Sequence, residues 1–411
     1  QTTERTVWMM DQCSKGVIST VAGNGEPGHS GDQALATKAS INEPKNLCFD
    51  AEGNLYIADS ENHAIRRVMR VTGLIETVAG STPQATMSSE SVLAPVVSDG
   101  PVEEFDPLAD VEDSPEKAYT QTPDLSGTVR YIIGQGMGRD RFAGDGGLAT
   151  EALLNFPSAV AVDQTGALFI ADTLNHRVRR VDPQSKVIQT VIGTGQTKWS
   201  DDGGLGQETT LNEPVALAIH GTQLYIADQS NNRIRMLNLE THIMTTVAGT
   251  GDSGYNGDGM PATESGLAGP SGLALDAKGN LYVADTFNGR IRKIAQDTGI
   301  ISTFAGDGAE FRYEQGANER ATALSRPYGI AMLSEGQVLI TDSDNHLLRL
   351  WNPEKKEMSL IAGTGQATFS GDGTVPTKSA LNFPFGVAVD SSGNIAIADT
   401  FNHRIRYIAA S

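Results

Sequence analysis

The sequence predicts an all-β protein, a six-bladed β-propeller of four-stranded antiparallel blades. Three observations lead there. A fourteen-residue pattern recurs six times, at 55–68, 168–181, 224–237, 281–294, 338–351 and 395–408. Its aspartates, Asp59, Asp172, Asp228, Asp285, Asp342 and Asp399, stand 56 or 57 residues apart, except for one interval of 113. Forty-five glycines accompany short runs of Val, Ile, Leu and Ala set between Asp-Gly, Gly-Asn and Pro-Gly signals. A fixed period of this length marks a repeat architecture, in which each unit needs neighbours to bury its core.

One repeat justifies the blade. "SAVAVD" (158–163) is a short apolar strand, and Gln164-Thr165-Gly166 is a tight turn. "ALFIAD" is the second strand, "TLNH" a turn, and "RVRRVD" the third. "PQSK" turns again into "VIQTVIG" (187–193), the fourth. A sheet this small must cover both faces, and radial repetition does so.

Closure follows from counting strands. The last repeat lacks a fourth strand, while "GVISTVAG" (16–23) is a fourth strand with no sheet before it. The N-terminal strand is therefore expected to complete the sixth blade, removing two open edges. The whole chain, 1–411, reads as one propeller domain with an insertion at 81–127 between blades 1 and 2. That tract holds six prolines, ten acidic residues and one lysine, too proline-rich for central strands. A degenerate seventh blade is the alternative to an acidic excursion. "RTVWMM" (5–10) resembles a spare third strand, and "TVRYIIG" (128–134) an extra strand rejoining the sheet.

The recurring "ADTLNHRVRRV" and "ADTFNHRIR" resemble the NHL-repeat family of propellers, across everything outside 81–127. The resemblance implies the fold and leaves function open, because propellers host unrelated functions. Similar propellers include peptidyl-hydroxyglycine lyases, which hold zinc with histidines near the axis. Here the first strands offer only His220, at the far end of its strand. Lactonase-like propellers hold a metal with carboxylates and asparagines from several blades. Glu43 and Glu213 are the only carboxylates flanking the first-strand prolines.

Composition narrows the classes. A net charge of −19 is unsuited to nucleic acid or to an anionic membrane surface. No apolar run is long enough to span a bilayer as a helix. The sequence starts at Gln1 without a leader pattern, which reads either as a mature chain after signal cleavage or as a trimmed piece; a secreted or periplasmic location is expected. Cys13 and Cys48 could pair arithmetically, but Cys48 sits in an apolar strand and reads as a small core residue.

Motifs that recur in every blade serve the blade. The Asp and Arg seven apart (Asp59/Arg66 through Asp399/Arg406) read as a turn-capping ion pair, and the adjacent histidines belong with them. The long connections repeat an aromatic residue or histidine three before an aspartate: His29/Asp32, Phe142/Asp145, Trp199/Asp202, Tyr255/Asp258 and Phe369/Asp372. The Asp-Gly pairs that four of them carry read as turns. One carboxylate per loop is too few for a calcium shell, although a divalent cation such as calcium is left open.

Symmetry breaks are more informative. The fifth loop places Arg312 and Gln315 where the others have the aromatic and Asp, with Arg320, Arg326 and Tyr328 nearby. Residues flanking the first-strand prolines are expected to ring one mouth of the axial channel. They include Glu43, Lys45, Phe156, Ser158, Glu213, Val215, Ser271, Phe383 and Phe385. Candidate ligand-binding residues are Arg312, Arg326, Tyr328, Glu43, Lys45, Glu213 and Phe385. No nucleophile elbow, zinc spacing or phosphate loop is visible. The expected function is non-catalytic recognition of a protein, peptide or glycan partner through the loop-rich face. A metal-assisted hydrolase or lyase at the channel mouth is the alternative.

Overall fold

A computed structural model of the chain describes residues 13–81, 141–308, 323–333 and 336–410. The segments read above at 5–10 and 128–134, the insertion beyond Ser81, and Arg312, Gln315 and Arg320 lie outside the described residues.

Six four-stranded antiparallel sheets are present among the described residues. Strand β1 (Ile18–Ala22) comes first among the described residues. Blade 1 holds β2 (Pro44–Phe49), β3 (Leu55–Asp59), β4 (Ala64–Val68) and β5 (Ile75–Ala79). Blade 2 holds β6 (Pro157–Val162), β7 (Leu168–Asp172), β8 (Arg177–Val181) and β9 (Ile188–Ile192). Blade 3 holds β10 (Pro214–His220), β11 (Gln223–Asp228), β12 (Arg233–Asn238) and β13 (Met244–Ala248). Blade 4 holds β14 (Pro270–Leu275), β15 (Leu281–Asp285), β16 (Arg290–Ile294) and β17 (Ile301–Ala305). Blade 5 holds β18 (Pro327–Met332), β19 (Val338–Asp342), β20 (Leu347–Asn352) and β21 (Glu357–Ala362). Blade 6 holds β22 (Pro384–Val389), β23 (Ile395–Asp399) and β24 (Arg404–Ile408).

The sixth blade closes as the sequence predicts. Strand β1 pairs antiparallel with β24, setting Ile18 opposite Ile408, Ser19 opposite Tyr407 and Thr20 opposite Arg406. A proline opens the first strand of every blade, where its missing N–H costs no ladder bond, and the register shifts just after it.

The first strands touch in the closed order β2, β6, β10, β14, β18, β22 and back to β2, so they form the inner ring. The apolar core lies between blades. Leu47, Leu55, Ile57 and Val68 of blade 1, for example, pack with Ala396, Ala398, Ile405 and Tyr407 of blade 6. Close approach needs small residues on the inner strands. A Cβ at Gly272 would lie 2.2 Å from the Tyr328 carbonyl oxygen of the next blade.

Candidate functional site: the axial mouth

The motif common to the blades is consumed by the fold. Asp59 is fully buried at the end of β3 and accepts the Asn42 N–H at 2.7 Å. Its second oxygen accepts from Asn62 Nδ2 at 2.8 Å and Arg66 Nη1 at 3.3 Å. Arg66, itself buried, reaches the loop carboxylate of Asp32 at 2.7 Å. The same loop-Asp to Arg pairing joins Asp145 to Arg179, Asp202 to Arg235, Asp258 to Arg292 and Asp372 to Arg406. Burial pushes Asp59, Asp172, Asp228, Asp285 and Asp399 up to about 6, against the arginines and amide hydrogens that pull them down.

The loop aromatics clamp these arginines. Trp199 lies under Arg233 and Arg235, at 3.8 and 4.4 Å from the ring centroid. Phe142, Tyr255 and Phe369 repeat the stack. The Asp-Gly loops therefore act as turns whose carboxylates are bound by arginine. Among the described residues, no three His, Cys, Asp or Glu side chains cluster to hold a metal. Cys13 and Cys48 are not joined to each other by a disulfide.

Blades are also tied to each other. The hydroxyl after the strand-end Asp donates to the first-strand proline carbonyl of the next blade. Thr173 reaches Pro214 at 2.8 Å, Thr286 reaches Pro327 at 2.9 Å and Thr400 reaches Pro44 at 2.8 Å. Three positions further on, a left-handed residue swings its side chain over the seam. His63, His176, His346 and His403 accept, at Nδ1, the backbone N–H of Phe156, Glu213, Phe383 and Glu43. Asn232 does the same for Gly269 through Oδ1. Sequence reasoning placed these histidines in the structural motif without finding this contact. It requires the positive φ of the histidine, 54° at His63.

These ties fix three positions per blade at one end of the axis: the residues before and after the proline, and the middle of the turn after the second strand. Their chemistry varies round the ring. Before the proline stand Glu43, Phe156, Glu213, Gly269, Arg326 and Phe383; after it stand Lys45, Ser158, Val215, Ser271, Tyr328 and Phe385. The turn position carries Glu61, Leu174, Ser230, Phe287, Asp344 and Phe401.

The predicted residues Glu43, Lys45 and Phe385 come together. Lys45 is buried, with Nζ 3.1 Å from Glu43 Oε2 and 4.2 Å from the Phe385 ring centroid. Phe401 and Phe156 complete its surroundings at 5.3 and 5.9 Å. Burial pulls the Lys45 ammonium below the usual lysine range, although Glu43 opposes this. Tyr328 packs on Phe385 at 4.4 Å, and burial pushes its phenol up. Arg326 turns to Asp344, at 3.3 Å. Glu213 stands apart in blade 3, accepting from Ser230 Oγ at 2.6 Å.

Sequence reasoning missed Glu61, Asp344 and Phe401. Burial and the neighbouring Glu43 push Glu61 up to about 7, with Lys45 pulling the other way. Burial pushes Asp344 up to about 6 against the pull of Arg326. The available signal was a position inside a recurring motif that changes chemistry from blade to blade.

Comparison with known proteins agrees with this geometry. The chain matches the NHL repeat family over residues 154–181, 324–349 and 381–406, and the Teneurin NHL domain family over 243–316. It is 34% identical over 272 residues to Protein SUPPRESSOR OF QUENCHING 1, chloroplastic, of Arabidopsis thaliana, covering 63% of this chain and 25% of that protein. It is 29% identical over 293 residues to NHL repeat-containing protein 2 of Gallus gallus, covering 64% of this chain and 40% of that protein. The chain thus spans less than half the length of these relatives. Among solved structures, a protein of unknown function from Bacteroides thetaiotaomicron superposes with a TM-score of 0.59 at 17% identity. The match covers 96% of this chain and 75% of that one, and at this identity it speaks for the fold alone.

Proposed function

Since the chain belongs to the NHL-repeat family of six-bladed β-propellers, we propose that it is a non-catalytic recognition module. Its axial mouth, on the face of the turns and long connections, takes a protein, peptide or glycan partner. One observation carries this reading. The polar groups that the blades share are spent on internal bonds, whereas the three variable positions per blade meet at one end of the axis. Repetition builds the frame, and departure from it supplies a surface with its own chemistry.

The chemistry of that surface is uneven. An arc from blade 5 through blade 6 to blade 1 carries Tyr328, Phe385, Phe401, Lys45 and Glu43 in contact. Blades 2 to 4 present the small Ser158, Val215 and Ser271 at the matching position. The small side leaves room, and the arc offers aromatic and charged contacts.

The test is binding of the full chain to peptide and glycan panels, with two variant sets. Mouth variants Phe401→Ala and Ser158→Trp should abolish any specific capture. Lys278→Glu and Glu52→Lys, in turns joining first to second strands at the opposite end, should leave it intact. Equal loss in both sets, or loss only in the second, removes the mouth from the reading.

A further inference from the structure

At one repeat position, the middle of the turn after the second strand, three consecutive blades present acid, aromatic, acid. These are Asp344 in blade 5, Phe401 in blade 6 and Glu61 in blade 1. The other three blades carry Leu174, Ser230 and Phe287 there. The grouping is continuous. Phe401 stacks edgewise on Phe383 at 5.2 Å, and Phe383 on His346, two residues beyond Asp344, at 4.6 Å. Phe401 also lies 5.3 Å from Lys45 Nζ, the cation that pairs with Glu43 and attracts the Glu61 carboxylate.

We propose that Asp344, Phe401 and Glu61 form a recognition arc for a basic side chain, lysine or arginine, of a partner peptide. The inference rests on the mouth being the recognition surface. Two independent observations point to a cation.

First, acceptors are in excess. Lys45 is bonded to Glu43, which leaves Glu61 as a second carboxylate beside one ammonium. Arg326 engages Oδ2 of Asp344, while Oδ1 is buried and finds no donor among the described residues. A buried carboxylate oxygen without a donor is costly, and an incoming N–H would relieve it.

Second, Phe401, on the blade between the two acids, keeps part of its ring exposed. A phenyl face flanked by carboxylates suits an ammonium or guanidinium, which couples cation–π attraction to charge-assisted hydrogen bonds. The chain's net charge of −19 favours approach of a basic partner. Glu61 faces Glu43 and Lys45, and Asp344 faces Arg326 and Asp342. Both acids lose protons as pH rises through 6 to 7, so capture of a cation should strengthen over that interval.

The experiment is selection of a random-peptide display library on the full chain, followed by titration of selected peptides. The expected result is enrichment of lysine or arginine at one position, whose replacement by norleucine weakens binding about tenfold or more. Asp344→Asn and Glu61→Gln should each reproduce that loss without lowering the melting temperature, and Lys278→Glu, at the opposite end of the blades, should not. Selected peptides without a required basic residue, yet displaced by Phe401→Ala, would overturn this inference and leave the mouth as the recognition surface. Selection that yields no mouth-dependent peptide would overturn both.

Discussion

His63 Nδ1 accepts the backbone N–H of Phe156 at 3.0 Å, across the seam between blades 1 and 2. The bond requires a neutral imidazole with its proton on Nε2, because a proton on Nδ1 would face the amide hydrogen. Burial and the nearby Arg141 cation hold His63 at about 4, well below the ordinary value for histidine.

The sign of the pH effect follows. A histidine depressed in the folded state stabilises fully above its unfolded value, roughly 6.5, and progressively less as pH falls from there to about 4. Asn232 makes the same tie without titrating. His63→Asn should therefore match the parent at pH 8 and exceed it at pH 5. The gain is about 1 kcal/mol once the partial exposure of the ring is discounted. Urea unfolding at the two pH values checks this, and equal midpoints at pH 5 would refute it.

Asp285 is fully buried and accepts from Ala268 N, Asn288 Nδ2 and Arg292 Nη1. Asp285→Ala leaves the buried Arg292 guanidinium with Asp258 as its one carboxylate and strands the Ala268 amide donor. The expected loss is about 3–5 kcal/mol, read as a fall in the urea midpoint. Lys293→Ala, on the neighbouring strand and partly exposed, should cost under ~1 kcal/mol.

Gly272 tests the inner ring. The added methyl of Gly272→Ala meets the Tyr328 carbonyl, a backbone group with little freedom to yield. A destabilisation of about 1–3 kcal/mol is expected from overpacking between blades 4 and 5. Blade 3 already carries Ala216 at the equivalent place, so Ala216→Gly should remove no such clash and cost less. Paired thermal melts decide between them.

Lys45 and Glu43 should behave as a unit. Lys45→Met keeps the packing against Phe385 but leaves Glu43 without its ammonium, at a cost of about 1–3 kcal/mol. Adding Glu43→Gln should recover most of that loss, because it removes the orphaned charge. A double-mutant cycle in urea reads the coupling, and additive losses would count against it.

The frame was legible because its causes are local and repeated. Period, turn signals and short apolar runs define six blades, and the unpaired strand at 16–23 demands a partner at the far end of the chain. Topology then brings the proline-flanking residues together, which is why Glu43, Lys45 and Phe385 were identifiable. Glu61, Asp344 and Phe401 were not, since each sits between the Asp and Asn of a motif explained as structural. What separates them from that motif is side-chain direction, set by backbone dihedrals the sequence does not display. The histidine ties were hidden for the same reason.

Pairing of β1 with β24 sets a timetable for the molecule as it is made. The opening strand has nothing to zip onto until synthesis reaches the last repeat, so the inner blades must assemble while it waits. Until then the strand and the raw border of the final sheet are both adhesive, and in a crowded solution a second molecule could supply the missing piece. Fidelity of assembly is thus decided in the interval between the last repeat leaving the ribosome and strand β1 finding its own partner.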